Sequence, residues 1–487
     1  MPFTVSTRCP SCGAGLEYQA GSNAVKCSYC GSAHVVTGHG HILSYYFPEK
    51  ITAKQAVSAA LDALHKAGGA WNAREAELFF VPYYHFEAGE LRWDSEEVNI
   101  AGGHARGGGG FLGSLLQDTH GNSYSVLDEP SLAISERRFE LTARHIDRTL
   151  LAINAPELGS PSLGLRPEVL KLKLFEREEV LARGRLAPLK KGIGEFRGKG
   201  YADTGDGAAA EKGVFGKVES VIYSPFWIIE VADGLEGALA VIDGISGEVL
   251  NAKAPLSMLD ELIDPSGKQE FETAALRPLK CPDCDADLPV RPSDLVFFCP
   301  SCLKAWYISE SNFTEVNYTA AMPELPGAEK AEYLPFWLVK VKIAGEEREL
   351  SNKFDLETFS PGLLVQPRAE DKSVPLRFFI PAFGIRNLKV LSRLASGFTM
   401  KQPVFKENEL PACARGCVFS PEDSLLIAPL ILFSLAPKEN RRLVKFVQTA
   451  KVETLACELA LVPFNKGRFE YTDAIFGWSL PTAAISD

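Results

Sequence analysis

The chain has 487 residues, of which 46% are apolar and 23% are charged. This composition is typical of a folded globular protein of about two to four domains, and it excludes a disordered or fibrous chain. The 51 basic and 62 acidic residues give a formal net charge of 51 − 62 = −11. Such a negative charge disfavours a protein whose overall electrostatic field attracts nucleic acid.

The N-terminal segment and the hydropathy pattern predict a cytoplasmic protein. Residues 1–13 contain no charged region followed by an apolar stretch and a small-residue cleavage site, so we expect no secretory signal. The longest apolar run, from Leu425 to Ala436, is about half as long as a bilayer crossing requires and contains Pro429. Eight of the eleven cysteines fall in close pairs, which favours metal binding in a reducing compartment.

Two segments have the pattern C-x2-C-x14-C-x2-C, which predicts two structural zinc ribbons. Two residues between cysteines let one tight turn direct both sulfurs at a single ion, and a second turn completes a tetrahedron. Four thiolates leave no position for water, so we expect one permanently bound Zn²⁺ in each module, or two per chain. The predicted ligands are Cys9, Cys12, Cys27 and Cys30 in the first ribbon and Cys281, Cys284, Cys299 and Cys302 in the second.

Iron in a rubredoxin-like site is the alternative for the metal, because four thiolates suit either ion. The fourteen-residue spacer between the cysteine pairs favours zinc. The ribbons differ after the closing cysteine of each turn, where the first has Gly13 and Gly31 and the second has Asp285 and Leu303. Glycine adopts a positive φ easily, whereas leucine does so at a cost, so we expect the second site to be the more strained.

A helix is predicted after the first ribbon. Thr52 and Gln55 form a capping box, an apolar stripe follows, and Gly68-Gly69 ends the helix. The stripe consists of Val57, Ala60, Leu61 and Leu64. The corresponding part of the second half lacks this pattern, so we expect no helix there.

Matching motifs in one order predict an internal duplication that extends beyond the ribbons. The matched pairs are Val81-Pro82-Tyr83-Tyr84 with Leu334-Pro335-Phe336-Trp337, Arg138-Phe139 and Ala143 with Arg377-Phe378 and Ala382, Ser224-Pro225-Phe226-Trp227 with Val462-Pro463-Phe464-Asn465, and the segments containing Asp243 and Asp473. We expect the two aspartates to occupy turns. The aromatic residues are predicted to pack in strand cores, with a ligand cage as the alternative.

Short runs of branched and aromatic residues, separated by glycine and proline, predict a mainly antiparallel sheet. They include FWIIEVADG, ALAVIDG, FWLVKVKIAG, LRFFIPAFG and LLIAPLILFSLA, and helices are expected near Leu256 to Ile263 and near Ile385 to Ala395. The predicted fold class is α+β, with two four-cysteine zinc ribbons each followed by a mainly antiparallel β-rich body. The predicted domains are residues 1–40 (first ribbon), 41–264 (first body), 277–308 (second ribbon) and 309–487 (second body).

Outside the ribbons, one basic cluster is prominent in this acidic chain. It predicts either a solvated basic face or a site for an anionic partner. Its members are Arg183, Arg185, Lys190, Lys191, Arg197 and Lys199. The glycine-rich segment 102–110 is predicted to be a flexible loop, because it lacks a P-loop ending and a strand-to-helix context; a second glycine-rich stretch, 192–200, lacks the Rossmann spacing.

The remaining candidate groups form no complete site in the sequence. A second metal site beside the first ribbon would use His34, His39 and His41, but four cysteines already satisfy one ion. Cys413, Cys417 and Cys457 are predicted to be buried thiols, with a minor redox pair as the alternative. No serine, histidine and acid cluster and no HExxH helix is apparent, so we predict that the protein is not an enzyme.

The order of CPSCGAGLEY, CSYCG, a helix preceded by Phe47-Pro48 and a proline-aromatic strand resembles bacterial proteins with a TFIIB-type zinc ribbon, also described as double zinc ribbon proteins. The resemblance implies zinc binding and an interaction or scaffolding role. We therefore expect a non-enzymatic scaffold with protein partners. The alternative is a nucleic-acid-associated factor in replication, repair or transcription, but the ribbons have few basic residues to contact phosphate.

Overall fold

The computed structural model describes residues 3–37, 42–100, 134–158, 170–195, 213–263, 275–309, 312–325, 331–346, 348–360, 367–385, 388–407, 414–435, 446–447 and 449–485. Within these residues the chain forms two large sheets, two small three-stranded sheets and six α-helices. This strand-rich arrangement confirms the α+β class.

In the described residues, the first half contains twelve strands and three α-helices. Its strands are β1 (Thr4–Arg8), β2 (Gly15–Gln19), β3 (Ala24–Lys26), β4 (Ala33–Thr37), β5 (Leu43–Tyr46), β6 (Asn72–Ile100), β7 (Ile134–Leu151), β8 (Lys171–Leu174), β9 (Arg185–Leu186), β10 (Gly213–Asp233), β11 (Glu236–Asp243) and β12 (Val249–Ala254). Its helices are α1 (Ala53–Lys66), α2 (Arg177–Arg183) and α3 (Met258–Leu262).

The second half is built from shorter strands. They are β13 (Ala275–Pro278), β14 (Val296–Phe298), β15 (Ala305–Ser309), β16 (Asn312–Val316), β17 (Tyr318–Ala321), β18 (Glu332–Ala344), β19 (Glu349–Leu350), β20 (Arg377–Pro381), β21 (Phe405–Glu407), β22 (Lys451–Lys466), β23 (Glu470–Asp473) and β24 (Ser479–Pro481). The helices are α4 (Lys353–Phe359), α5 (Leu388–Lys401) and α6 (Pro421–Leu435).

The two large sheets have the same arrangement around their central strands, β10 and β22. Each central strand pairs antiparallel with a long strand, β6 or β18, whose other side pairs with β7 or β20. The other edge of each central strand pairs parallel with a short strand, β5 or β17, and antiparallel with the strand that follows it in the chain, β11 or β23. The hairpin β1–β2 of the first ribbon also belongs to the first sheet, because β1 pairs with β8.

The proline-aromatic motifs hold equivalent registers in the two sheets. Pro225 lies opposite Phe80, and Pro463 lies opposite Tyr333. Tyr83, Phe226, Phe336 and Phe464 are all at most 1% exposed, as the packing interpretation predicts. These registers agree with the sequence matches for both motifs.

One sequence match differs from the structural correspondence. The backbone N–H of Ala382 donates to the carbonyl oxygen of Pro335 at 2.9 Å, and in the first sheet Ala152 makes the same bond to Pro82 at 3.0 Å. The position of Ala382 therefore corresponds to Ala152 rather than to Ala143. Sequence comparison missed this because β7 is much longer than β20, and only the pairing registers reveal the correct alignment.

Asp243 and Asp473 occupy equivalent turns, as predicted. Asp243 Oδ1 accepts from the backbone N–H groups of Ile245 at 2.6 Å and Ser246 at 2.9 Å. Asp473 Oδ1 accepts in the same way from the second and third residues after it, at 3.0 Å and 2.6 Å. These side chains replace missing backbone partners in the turn.

The predicted helix α1 begins at the predicted capping box, with Gln55 N–H donating to Thr52 Oγ1. Its buried residues pack on the part of the first sheet where β10 continues from Phe226 to Asp233. In the second sheet β22 ends two residues after Phe464, at Lys466. That sheet has no corresponding extension for a helix to cover, and residues 312–325 contain no helix.

The run LLIAPLILFSLA was predicted as a strand, and this prediction is wrong: the run lies in helix α6. Ser420 Oγ accepts from the backbone N–H of Asp423 at 3.0 Å, and Pro421 is the first helical residue. The run lacks periodicity because the helix is apolar on most sides, with Ile427 and Ile431 at most 1% exposed. None of the described helices is long and apolar enough to cross a membrane.

Candidate metal centres

Each cysteine pair lies on a tight turn with the same backbone bonds. The N–H of Cys9 donates to Ala14 O at 2.8 Å, and the N–H of Gly13 donates to Cys9 O at 2.8 Å. The corresponding donor and acceptor residues in the other three turns are Cys27 to Ser32, Gly31 to Cys27, Cys281 to Ala286, Asp285 to Cys281, Cys299 to Lys304 and Leu303 to Cys299. This turn directs two sulfurs to the same side of the chain.

The turns bring all eight predicted cysteines together in two quartets. In the first quartet Sγ–Sγ distances are 3.8 Å for Cys9–Cys30 and 3.8 Å for Cys12–Cys27. In the second quartet both cross-turn distances are 3.5 Å. A tetrahedron with metal–sulfur bonds of about 2.3 Å has edges of about 3.8 Å. Both quartets therefore fit one ion held by four thiolates.

No other group of three or more histidine, cysteine or carboxylate side chains in the described part of the chain has its ligand atoms so close together. In each quartet the first cysteine of each turn is buried. Burial raises the pKa of Cys9, but hydrogen bonds from Ser32 and from backbone amides outweigh it and lower this pKa to about 5. Cys9 thus favours the thiolate form that binds metal. At Cys12 a backbone hydrogen bond from Ala14 lowers the pKa, but the neighbouring cysteines and burial outweigh it and raise this pKa to about 12.

The residue after each closing cysteine has a positive φ, as predicted. The angles are 75° at Gly13, 74° at Gly31, 59° at Asp285 and 62° at Leu303. A leucine in this conformation has its Cβ too close to the backbone, which destabilises the turn by about 1–2 kcal/mol. The strain predicted for the second ribbon is therefore present at Leu303.

Leu303→Gly is expected to strengthen zinc binding at the second quartet by about 1 kcal/mol, or roughly fivefold, because the strain disappears while glycine adds chain entropy to the unfolded state. Competition with a chelator measures this affinity. The matched control is Gly31→Leu, which introduces the same strain in the first ribbon and is expected to weaken the first site. An unchanged second-site affinity in Leu303→Gly would contradict this account.

Two side chains near the first quartet were not identified as its neighbours from the sequence. His34 is fully buried, and its Nε2 lies 3.4 Å from Cys9 Sγ and 2.9 Å from Ser32 Oγ. Ser32 Oγ lies 2.8 Å from Cys30 Sγ. His34 therefore contacts the first quartet itself; the other two histidines considered for a second site, His39 and His41, lie outside the described residues.

The two ribbons pack directly against each other. The backbone N–H groups of Asn23 and Ala24 donate to Pro292 O at 2.7 and 3.2 Å, and Asn23 Nδ2 donates to Ser293 O at 3.3 Å. Strand β4 also pairs with β13. One apolar cluster crosses the contact and contains Ala24, Val35, Leu279, Cys281, Leu288, Phe297, Cys299, Trp306 and Ile308. We call residues 23–37 and 275–309 together the ribbon head.

A buried ionic network joins the ribbon head to the second body. Glu332 Oε1 accepts from Arg291 Nη2 at 3.0 Å and from Arg415 Nε at 3.2 Å, while Glu332 Oε2 accepts from the Tyr471 hydroxyl at 2.8 Å. Glu332 and Arg415 are 7% and 4% exposed. The backbone N–H of Leu295 also donates to a second-body carbonyl, 2.6 Å away.

Asp294 is buried beside this network, and burial raises its pKa to about 7 although Arg291 and Arg415 lower it. Its pKa in the unfolded chain is about 3.9. Protonated Asp294 therefore stabilises the fold fully below about pH 4, and this stabilisation is lost as the pH rises to about 7.

We expect the zinc-loaded protein to lose on the order of 2 kcal/mol of unfolding free energy between pH 5 and 7, because Asp294 loses its proton over this range. Denaturant titrations should show a weaker pH dependence in Asp294→Asn; an identical dependence would contradict the prediction.

Three of the four described members of the basic cluster lie close to acidic groups. Arg183 pairs with Glu49 and Glu179, Arg185 pairs with Glu77, and Lys190 pairs with Glu261, at 2.9 to 3.3 Å. Lys191 also makes an interaction within the chain. Arg197 and Lys199 lie outside the described residues, as does the glycine-rich segment 102–110.

The other cysteines have the features of buried thiols. Cys417 is fully buried, and burial raises its pKa. Cys457 is half-buried, and burial raises its pKa to about 11. Cys413 lies outside the described residues. Both described thiols are therefore poor nucleophiles near neutral pH.

Comparison of the chain with known protein families, with curated proteins and with solved structures finds no match. The function is therefore argued from the quartets and their surroundings.

Proposed function

We propose that this chain is a non-enzymatic zinc-binding scaffold protein that holds protein partners on a frame stabilised by two Zn²⁺ ions. Each quartet would hold one ion, with all four positions taken by thiolates. Such a site stabilises a small module and has no open position for a substrate or a reactive water.

The observation that carries this proposal is the ribbon head. One apolar cluster joins Ala24 and Val35 of the first ribbon to the second ribbon and includes the ligands Cys281 and Cys299, while the first-quartet ligands Cys9 and Cys27 pack in a separate cluster. The β1–β2 hairpin of the first ribbon continues into the first sheet, and Arg291 of the second ribbon pairs with Glu332 of the second body. Metal binding at this junction would therefore stabilise the contact between both halves, which is what a scaffold requires.

The charge of the ribbons favours protein partners over nucleic acid. Lys304, beside the second quartet, pairs with Asp283 and Glu315. Arg183, Arg185 and Lys190 of the basic cluster are likewise close to carboxylates. A protein that binds a nucleic-acid duplex needs cationic side chains that replace the counterions of the phosphates. Cationic side chains already paired with carboxylates replace these counterions less readily.

We further propose that the two halves arose by duplication. The shared strand neighbours, the equivalent proline registers and the equivalent turns at Asp243 and Asp473 support this. The helix α1 and the long strands β6 and β7 would then be features of the first half alone. A scaffold with two related but unequal bodies can present two different surfaces.

Crosslinking and affinity capture from the native host test the scaffold role, with the zinc-loaded chain and the chelator-treated chain as baits. We expect specific partners that bind the zinc-loaded chain and are lost when the metal is removed. Oligonucleotide binding is measured in parallel. Binding that weakens steeply with salt, together with no zinc-dependent protein partner, would overturn the proposal in favour of a nucleic-acid factor.

A further inference from the structure

Two polar side chains lie against the sulfurs of the first quartet. Ser32 Oγ is 2.8 Å from Cys30 Sγ and 2.9 Å from His34 Nε2. His34 Nε2 is also 3.4 Å from Cys9 Sγ, and His34 is fully buried. We call these two side chains the Ser32–His34 pair. The pair connects two of the four predicted zinc ligands.

The thiolate form of the ligands determines the direction of these hydrogen bonds. In a zinc-loaded quartet the sulfurs carry no proton and can only accept, so the Ser32 hydroxyl donates its single proton to Cys30 Sγ. Ser32 Oγ then accepts from His34, which places the second proton on His34 Nε2, beside Cys9 Sγ. His34 Nδ1 agrees with this tautomer. It is buried without a hydrogen-bond partner among the described residues, and a proton there would be an unsatisfied donor.

In the second ribbon Lys304 occupies the place of Ser32. The carbonyl oxygen of Ser32 accepts from the backbone N–H of Cys27, and that of Lys304 accepts from Cys299 at the same point of the turn. The Lys304 ammonium group pairs with two carboxylates, at 3.2 and 3.5 Å. Its protons are therefore directed to carboxylate oxygens.

Trp306 occupies the place of His34. His34 lies opposite Val25 in the pairing of β4 with β3, and Trp306 lies opposite Phe297 in the pairing of β15 with β14. Trp306 Nε1 is buried and has no hydrogen-bond partner in the described part of the chain. Apart from the cysteines themselves, no described side chain makes a hydrogen bond to a sulfur of the second quartet. The two quartets therefore differ in what surrounds their sulfurs.

We propose that the Ser32–His34 pair makes the first quartet the site that retains zinc, and that the second quartet is the site that exchanges zinc with its surroundings. Four thiolates outweigh the charge of one Zn²⁺, so a loaded quartet carries excess negative charge. Hydrogen bonds from the pair disperse this charge and hold two ligands in position. Loss of such partners typically weakens metal binding by about 10- to 100-fold. The inference rests on the proposed zinc sites and states which of them responds to zinc supply.

Zinc release from the full zinc-loaded chain to an excess of a chromogenic chelator tests this proposal. We expect the wild type to release its zinc in a fast and a slow phase of about one ion each. Ser32→Ala should accelerate the slow phase by about tenfold or more, because Cys30 loses its hydrogen-bond donor. Ser32→Thr keeps the hydroxyl group and should keep the slow release.

His34→Phe and Trp306→Phe are matched variants at equivalent places of the two ribbons. His34→Phe removes the donor to Ser32 Oγ and Cys9 Sγ, so we expect it to accelerate the slow phase as Ser32→Ala does. Trp306→Phe removes an N–H group that has no partner among the described residues, and it should leave both phases unchanged. Should His34→Phe lose its fold, the two Ser32 variants decide, because Ser32 is only half-buried.

Substitution of zinc by Co²⁺ reports on the sulfurs directly. A hydrogen bond lowers the energy of a sulfur lone pair, so charge transfer from that sulfur to the metal requires more energy. Ser32→Ala should therefore move the charge-transfer absorption of the first site to longer wavelength, and Ser32→Thr should restore it. A purely structural role of Ser32 would leave this absorption in place.

A wild type that releases both ions at one rate would overturn the proposal, as would a slow phase that Ser32→Ala leaves unchanged. An unmoved charge-transfer absorption in Ser32→Ala would also contradict it. A chain that binds no zinc would overturn the proposed function together with this inference. Two ions per chain, with release that does not depend on Ser32, would overturn the inference alone.

Discussion

Replacing Cys27 by serine is expected to reduce the bound zinc from about two ions per chain to about one, because the first quartet loses a thiolate and its affinity falls by orders of magnitude. We also expect zinc to bind more weakly at the second quartet. Asn23 and Ala24 contact the turn at Pro292, and the apolar cluster of the ribbon head joins both ribbons. We expect the second site to weaken by about tenfold, a typical coupling between linked sites.

Metal analysis after gel filtration measures the first effect, and chelator competition measures the second. Cys457→Ser is the matched control, since this half-buried cysteine lies outside both quartets and the variant should keep both ions. Two tightly bound ions in Cys27→Ser would contradict the assignment of the first quartet. A second site of unchanged affinity would mean that the ribbons bind their ions independently.

Replacing Arg415 by leucine is expected to destabilise the second body by about 3 kcal/mol, because Glu332 then keeps a buried charge with one of its two cationic partners removed. Burial raises the pKa of Glu332, but the Tyr471 hydroxyl and the two guanidinium groups outweigh it and lower this pKa. The carboxylate therefore stabilises the fold above its unfolded pKa, and this stability is lost as the pH falls through its folded pKa. Denaturant unfolding of the zinc-loaded protein measures the change.

The double variant Glu332→Gln/Arg415→Leu distinguishes loss of the ion pair from loss of packing. It carries no uncompensated carboxylate, so we expect it to be more stable than Arg415→Leu alone. Arg291→Ala is the milder comparison, because the Arg291 side chain is 32% exposed and water can replace part of its role. Equal destabilisation of Arg415→Leu and the double variant would show that the buried charge is not the cause.

The metal quartets could be predicted from the sequence because their geometry is local. Two residues between cysteines define one turn, and the positive φ at Leu303 followed from its place after Cys302. Helix α1 was predictable for the same reason, since Thr52 and Gln55 lie within one turn of each other. Local signals of this kind do not depend on the rest of the fold.

The ribbon head could not be predicted, because its contacts join residues far apart in the chain. Asn23 and Ser293 are separated by 270 positions, and neither has a sequence feature that identifies the other. The apolar run in α6 was misassigned for a related reason: a helix buried on most sides has no periodicity, so only Ser420 and the residues after it indicate a helix start. The sequence indicates His34 as a candidate metal ligand, but its contact with Cys9 depends on the pairing of β3 with β4.

X-ray absorption at the zinc edge tests the central claim most directly, which is that both quartets are closed tetrathiolate sites. The account predicts about two zinc ions per chain, each with four sulfur neighbours at about 2.3 Å and no nitrogen or oxygen in the first shell. An average of fewer than four sulfurs with an oxygen neighbour, or a preparation that carries iron in place of zinc, would contradict it.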